Sequence, residues 1–219
     1  MDVMLEKMGE FFDARLSGYE EHQLTCIEFA EEFYPFTAEQ LPVFSEARVL
    51  DLGCGTGLEL NEYFKINPAA CVTGIDLAPG MLAELKHKFY DKNIYLIQGS
   101  YFDALFGKDA FDAVVSVESL HHFTQEQKIP LYKKIYDSLK CDGYFILTDY
   151  FAETDDQEKL FRSEYNRLKQ EQGIIDDEFY HYDTPLTVEH ELEALRYGGF
   201  PDISILGQWG ATYTIKAKK

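Results

Sequence analysis

The chain has 219 residues, 46% of them hydrophobic, and a formal net charge of -19. The length suits one α/β domain with a small addition. The acidity argues against a nucleic-acid partner, which would need a basic surface, and against an anionic membrane. No apolar run approaches the length of a membrane span. Cys26, Cys54, Cys71 and Cys141 form no CxxC and no metal-ligand spacing, so they read as reduced thiols of a cytoplasmic protein, and no metal is expected. Residues 1–10 hold three acids and no long apolar run, which reads as no secretory signal.

The first 45 residues show helical spacing: Met4, Met8, Phe11 and Phe12, then Leu24, Ile27 and Phe33. Residues 47–52 read as a buried strand, 58–66 as a helix stopped by Asn67-Pro68, and 71–76 as the next strand. Pro79 opens a helix to about Phe89, and 93–98 and 111–117 are further strands. Thr124 and Gln127 form a capping box for a helix to about Leu139, with Pro130 predicting a kink or a later start. A fifth strand covers 143–150. This alternation predicts a parallel sheet covered on both faces. The rhythm breaks over 151–185, with one polar amphipathic helix ended by Gly173 and the aromatic stretch FYHYDTP at 179–185. Thr187 then caps a last helix, and 202–218 reads as two strands turning near Gly207–Gly210.

The first strand runs into LDLGCGTGLEL. A glycine loop between a strand and a helix N-terminus makes a polar ligand site at the carboxyl edge of the sheet. Gly53, Gly55 and Gly57 give GxGxG, and Leu58 stands where a dinucleotide fingerprint needs glycine or alanine. Asp51 would repel a pyrophosphate but accept from an ammonium group. Asp76, at the end of the second strand, suits the two hydroxyls of a ribose. Leu77 and Met81 could pack on an adenine, and Gln98-Gly99-Ser100-Tyr101 stands where its amino group could be met.

Taken together, VLDLGCGTG, GIDLAPGML, IQGS and FDAVVSVESLHHF resemble, in order and spacing, the class I S-adenosylmethionine (SAM)-dependent methyltransferases. The resemblance covers 47–150 most strongly and 187–218 as the last helix and strand pair. It implies a Rossmann-like, mostly parallel seven-stranded sheet with the last strand antiparallel and helices on both faces. It implies SAM as cofactor, with Gly53, Gly55 and Gly57 under the methionine part and Cys54 among the cofactor contacts. Asp76 would take the ribose, and Ser100 and Tyr101 would flank the adenine. Asp51, Leu77, Met81 and Val117 complete the expected cofactor contacts. Many members carry an acid where Ser100 stands, a role Asp103 could take. MGEFFDARLSGYEEH is similar to the FDxxxxxYD segment that folds over the cofactor, which brings in Tyr19, with Arg15 within reach of the cofactor carboxylate.

One domain is expected over 1–219: a helical cap at 1–45, a SAM-binding core at 46–150, a lid insert at 151–185 and the last helix and strand pair at 186–219. Residues after the fourth strand should face the methyl group. His122, and after it His121, are the candidates for a base or an acceptor-orienting group. The stretch also resembles the ES-x-EHF of cyclopropane fatty-acid synthases, but His121 replaces their Glu, which weakens a lipid-cyclising reading. Tyr150, Tyr180 and Tyr182 are the candidate acceptor wall. The reading is methyl transfer to a small-molecule acceptor by a monomer or homodimer. A non-catalytic SAM-binding sensor and an NAD(P)-dependent oxidoreductase are the alternatives, the second opposed by Asp51 and Leu58.

Overall fold

The computed structural model describes residues 4–219. Three N-terminal helices, α1 (Met8–Arg15), α2 (Tyr19–Cys26) and α3 (Ala30–Glu39), precede the first strand. Then β1 (Arg48–Leu52), α4 (Leu58–Ile66), β2 (Cys71–Asp76), α5 (Pro79–Lys88), β3 (Asn93–Gln98) and β4 (Phe111–Val117) alternate. They are followed by α6 (Gln125–Ser138), β5 (Leu139–Tyr150), α7 (Asp155–Glu171), α8 (Val188–Tyr197), β6 (Asp202–Trp209) and β7 (Thr212–Lys218). The seven strands lie in the order β3-β2-β1-β4-β5-β7-β6, and β7 runs antiparallel to both its neighbours. This is the expected Rossmann-like sheet. Among the described residues, no helix is long and apolar enough to cross a membrane.

The central strands read as unbroken apolar runs because each face of the sheet is covered. Leu50, Leu52 and Val114 face a core shared with α6 and α8, while Val49, Ala113, Val115 and Val117 face one shared with α3, α4 and α5. The capping box at Thr124 and Gln127 forms, and α6 starts at once and runs through Pro130. Pro130 lies on the exposed side, where water can satisfy the carbonyl left without a donor. The fifth strand begins at Leu139, earlier than the apolar pattern predicts. Between α6 and α8, the buried Lys128 ammonium meets Glu191 Oε2 at 2.5 Å, and the Tyr132 hydroxyl donates to the other oxygen of the same carboxylate.

Strand order reverses between β1 and β4, so their carboxyl ends open a crevice. Parallel pairing places Leu52 beside Ile75, which brings the glycine loop next to Asp76. The N-terminal helices fold over this edge. Asp13 Oδ1 accepts the Gly80 N–H at 2.8 Å and so caps α5 from outside its own segment.

Candidate active site

The three loop glycines all have positive φ, at 72°, 48° and 74°, but their surroundings differ. A Cβ on Gly53 would lie 2.1 Å from Ser119 Oγ, so the loop is pressed against the segment after β4. A Cβ on Gly57 would meet Phe89 at 3.0 Å, a packing contact. At Gly55 the nearest atom is the Tyr19 hydroxyl, at 3.6 Å. Gly55 therefore leaves space beside a cavity rather than beside the core. Its N–H donates to Asp76 Oδ2 at 2.8 Å, and the Ala78 N–H donates to Oδ1 at 2.8 Å. Burial pushes the Asp76 carboxyl up, and the two backbone donors pull it back.

A narrow cavity of about 50 Å³ follows this edge, walled by Gly53, Gly55, Asp76, Leu77, Met81, Tyr101 and Val117. Met8, Phe12 and Tyr19 close it from the N-terminal helices. Four expected contacts fall outside its wall. Asp51 is buried beside Glu59, and burial and the neighbouring Glu59 push its carboxyl well up. The Cys54 thiol turns beneath the loop against Gly74. Gly57 packs on Phe89, and Ser100 Oγ accepts the Phe102 N–H in a local turn. The place of Asp51 at the strand end is a local signal; the partner that traps it, Glu59, is a helix residue with no motif signal.

A larger cavity of about 780 Å³ adjoins the first and shares Phe12, Tyr19, Glu118 and His122 with it. Tyr150 lines it, as expected. Tyr180 and Tyr182 do not. The Tyr180 hydroxyl bonds to Asp176, and the Tyr182 ring stacks on Tyr165 at 5.6 Å. Their neighbours His181 and Asp183 line the cavity instead. Alternate residues of an extended segment point to opposite sides, so the tyrosines and their neighbours divide between two faces.

His121 and His122 sit in a short 3-10 turn after β4, both buried. His121 Nδ1 donates to Asp149 Oδ1 at 2.6 Å, while Asp149 Oδ2 accepts the Leu120 N–H at 2.9 Å. Burial works against charge on His121, but Asp149 and Asp183 outweigh it and push the imidazole up to about 10. Burial and the adjacent His121 pull His122 down, and burial pulls His181 down to about 4. Burial, then the charge of Asp149, pushes Glu118 up to about 8. Glu118 also holds a φ of 48°, a left-handed conformation rare for a side-chain-bearing residue and common at functional sites. Asp149 and Asp183 went unnoticed in the sequence because each is far along the chain from the histidines it meets.

Comparison with known proteins bears on this geometry. The methyltransferase-domain family matches residues 49–143, the stretch carrying the glycine loop, Asp76 and the turn after β4. Residues 49–143 thus carry the methyltransferase domain that the motifs implied. Over 98% of its length it is 26% identical to carboxy-S-adenosyl-L-methionine synthase of Nautilia profundicola, covering 96% of that enzyme. It is 21% identical to the malonyl-[acyl-carrier protein] O-methyltransferase of Bacillus cereus, over 74% of this chain and 58% of that one. The structure of human N-acetylserotonin methyltransferase in complex with SAM superposes with a TM-score of 0.62 at 20% identity, over 87% of this chain and 52% of that one. The chain thus spans little more than half the length of the last two. SAM is the cofactor of this methyltransferase, and the residues present suit it. The cradle at Gly55 admits a ligand where a Cβ would intrude, and Asp76 offers a carboxylate at the end of β2.

Proposed function

We propose that this methyltransferase transfers the SAM methyl group to a small-molecule acceptor held in the 780 Å³ cavity. The observation that carries this reading is the junction: Phe12, Tyr19, Glu118 and His122 belong to both cavities. An acceptor on one side would meet a methyl group on the other across those four side chains. SAM supplies a methyl on a sulfonium, a leaving group that departs as neutral thioether. The chain has to orient the acceptor and exclude water. Asp76 is suited to the ribose, and Leu77, Met81 and Tyr101 to the adenine. His121 and His122 are suited to holding the acceptor's reacting group.

Met8, Phe12 and Tyr19, all from the N-terminal helices, line the cofactor cavity and narrow it in this form. The division into cap, core, lid and final strand pair is proposed on this basis: α1 and α2 swing away to admit the cofactor and close over it. The contribution of the 151–185 segment to the cavity is His181 and Asp183.

A second reading follows the Nautilia relative, whose name makes it a producer of carboxylated SAM. The chain's own side chains oppose an anion in the cavity. Glu28 and Asp183 line it, the His121 imidazole is already paired with Asp149 and Asp183, and the Arg15 guanidinium is held by Glu6 at 2.7 Å. Mass spectrometry separates the two. Incubation with SAM and a panel of amines, phenols, thiols and carboxylates should yield S-adenosylhomocysteine and a methylated acceptor. With a carboxylic acid of the panel as carboxyl donor, conversion of SAM to a carboxylated SAM with matching loss of CO₂ from that acid would favour the second reading and sink the first.

A further inference from the structure

We propose that His121, His122 and Asp183 form a binding site for a divalent transition-metal ion on the wall of the acceptor cavity. Asp183 Oδ1 lies 3.5 Å from His121 Nε2 and 3.2 Å from His122 Nδ1. The three donor atoms all lie within 4.8 Å of one another. Two ligands of one ion, each bound at about 2.0–2.1 Å, are separated by about 2.9–3.4 Å at tetrahedral or octahedral angles. The observed spacings fall close to that interval. Asp183 Oδ1 is shielded from solvent and has no hydrogen bond of acceptable geometry. The atoms converge without being aligned as donor and acceptor, an arrangement that suits a cation between them; with no ion bound, a protonated His121 pairs with Asp183 in its place.

A supporting shell is present. Asp149 accepts from His121 Nδ1, so a neutral His121 carries its hydrogen there and turns the Nε2 lone pair towards Asp183. Such a carboxylate–histidine pair fixes tautomer and ring orientation at metal sites. Asp149 is itself anchored by the Leu120 N–H. His122 Nδ1 faces the Tyr182 carbonyl at 3.2 Å. With a cation bound, its hydrogen moves to Nε2, and the carbonyl becomes a neighbouring oxygen donor. Charge also balances: Asp149 and Asp183 together carry two negative charges, which a divalent ion cancels. Two imidazoles and one carboxylate favour zinc or ferrous iron over magnesium or calcium. All three ligands line the large cavity, so open coordination positions would face an acceptor. A bound ion would reverse the sign of that wall and draw oxygen- or nitrogen-bearing groups to it. The sequence held no metal spacing because Asp183 follows the histidine pair by some 60 residues.

The test is titration calorimetry of the full chain, stripped with EDTA, with Zn²⁺ and Mg²⁺ separately. Zn²⁺ should bind at one site per chain with a Kd in the micromolar range or tighter, and millimolar Mg²⁺ should not displace it. Asp183→Asn should weaken Zn²⁺ at least 10-fold. This side chain is 45% exposed and Asn matches its shape, so the fold should survive, which circular dichroism checks. Asp149→Asn should weaken it about 10- to 100-fold, the usual effect of losing such a supporting carboxylate. His87→Ala, at the far end of α5, should change nothing. Absence of Zn²⁺ binding, equal binding of Mg²⁺, or Zn²⁺ binding unmoved by Asp183→Asn in folded protein would each overturn the proposal. So would an amine that binds this cluster while Zn²⁺ does not.

Discussion

Alanine at Gly55 and alanine at Gly57 should separate cofactor binding from stability. Both residues have positive φ, at 48° and 74°, and a left-handed alanine costs about 1–2 kcal/mol. The surroundings then diverge. At Gly57 the new methyl group would lie 3.0 Å from Phe89 and 3.2 Å from Leu60, both buried. Forcing those side chains to repack costs a further ~1–3 kcal/mol. The sum for Gly57→Ala is about 2–5 kcal/mol, all of it in stability. At Gly55 the nearest atom is 3.6 Å away, so the stability loss stays near the backbone cost. Its methyl group points instead into the cradle beside Tyr19. A ligand forced away from the backbone there should bind at least 10-fold more weakly, a loss of about 1.4 kcal/mol. Urea unfolding gives the first quantity and titration with S-adenosylhomocysteine the second, at a temperature where all variants are folded. Gly57→Ala should lose the more stability and Gly55→Ala the more affinity. The reverse order, or equal affinity losses, would refute the assignment of Gly55 to the ligand and Gly57 to packing.

Asp13→Ala should remove the cap on Gly80 and cost about 0.5–2 kcal/mol. Amide exchange in α1 and α2 should speed up, and unchanged exchange would show that this contact does not hold the cap closed. Lys128→Met leaves the buried Glu191 carboxylate with no cation, only the Tyr132 hydroxyl, and should cost about 3–5 kcal/mol in a urea melt, while Lys128→Met with Glu191→Leu should recover much of it. Since the folded state raises the Glu118 carboxyl to about 8 from its ordinary 4.5, its contribution to stability is intact below pH 4.5 and is lost as pH rises through 8. Glu118→Gln in metal-free protein should therefore gain on the wild type between pH 5.5 and 8.5, by at least about 1 kcal/mol, and a constant difference would remove the buried-acid reading.

The sheet was legible because parallel strands buried on both faces leave apolar runs that need no long-range information. The loop glycines and Asp76 were legible for a similar reason: each is set by local backbone at a strand end. Asp51 shows the limit. Its position in the motif is local, but its burial against Glu59 depends on how α4 docks. The lid failed by one residue of phase. Nothing in FYHYDTP says which alternate set faces inward; that is decided by the bridge between Lys7 and Tyr180, which pairs the segment with the distant N-terminus. Asp149 and Asp183 reach the histidines only through β5 and that same extended segment, so tertiary structure alone assembles the cluster.

Asp76 at the floor of a SAM site is the residue on which cofactor binding should turn. Titration of the wild type and Asp76→Ala with S-adenosylhomocysteine, with NAD as the comparison ligand, tests it in one experiment. The wild type should bind S-adenosylhomocysteine one to one and NAD not at all, and Asp76→Ala should lose about 1.5–3 kcal/mol, the scale of hydrogen bonds to a charged group. Undiminished binding by folded Asp76→Ala, or binding of NAD in place of S-adenosylhomocysteine, would contradict it.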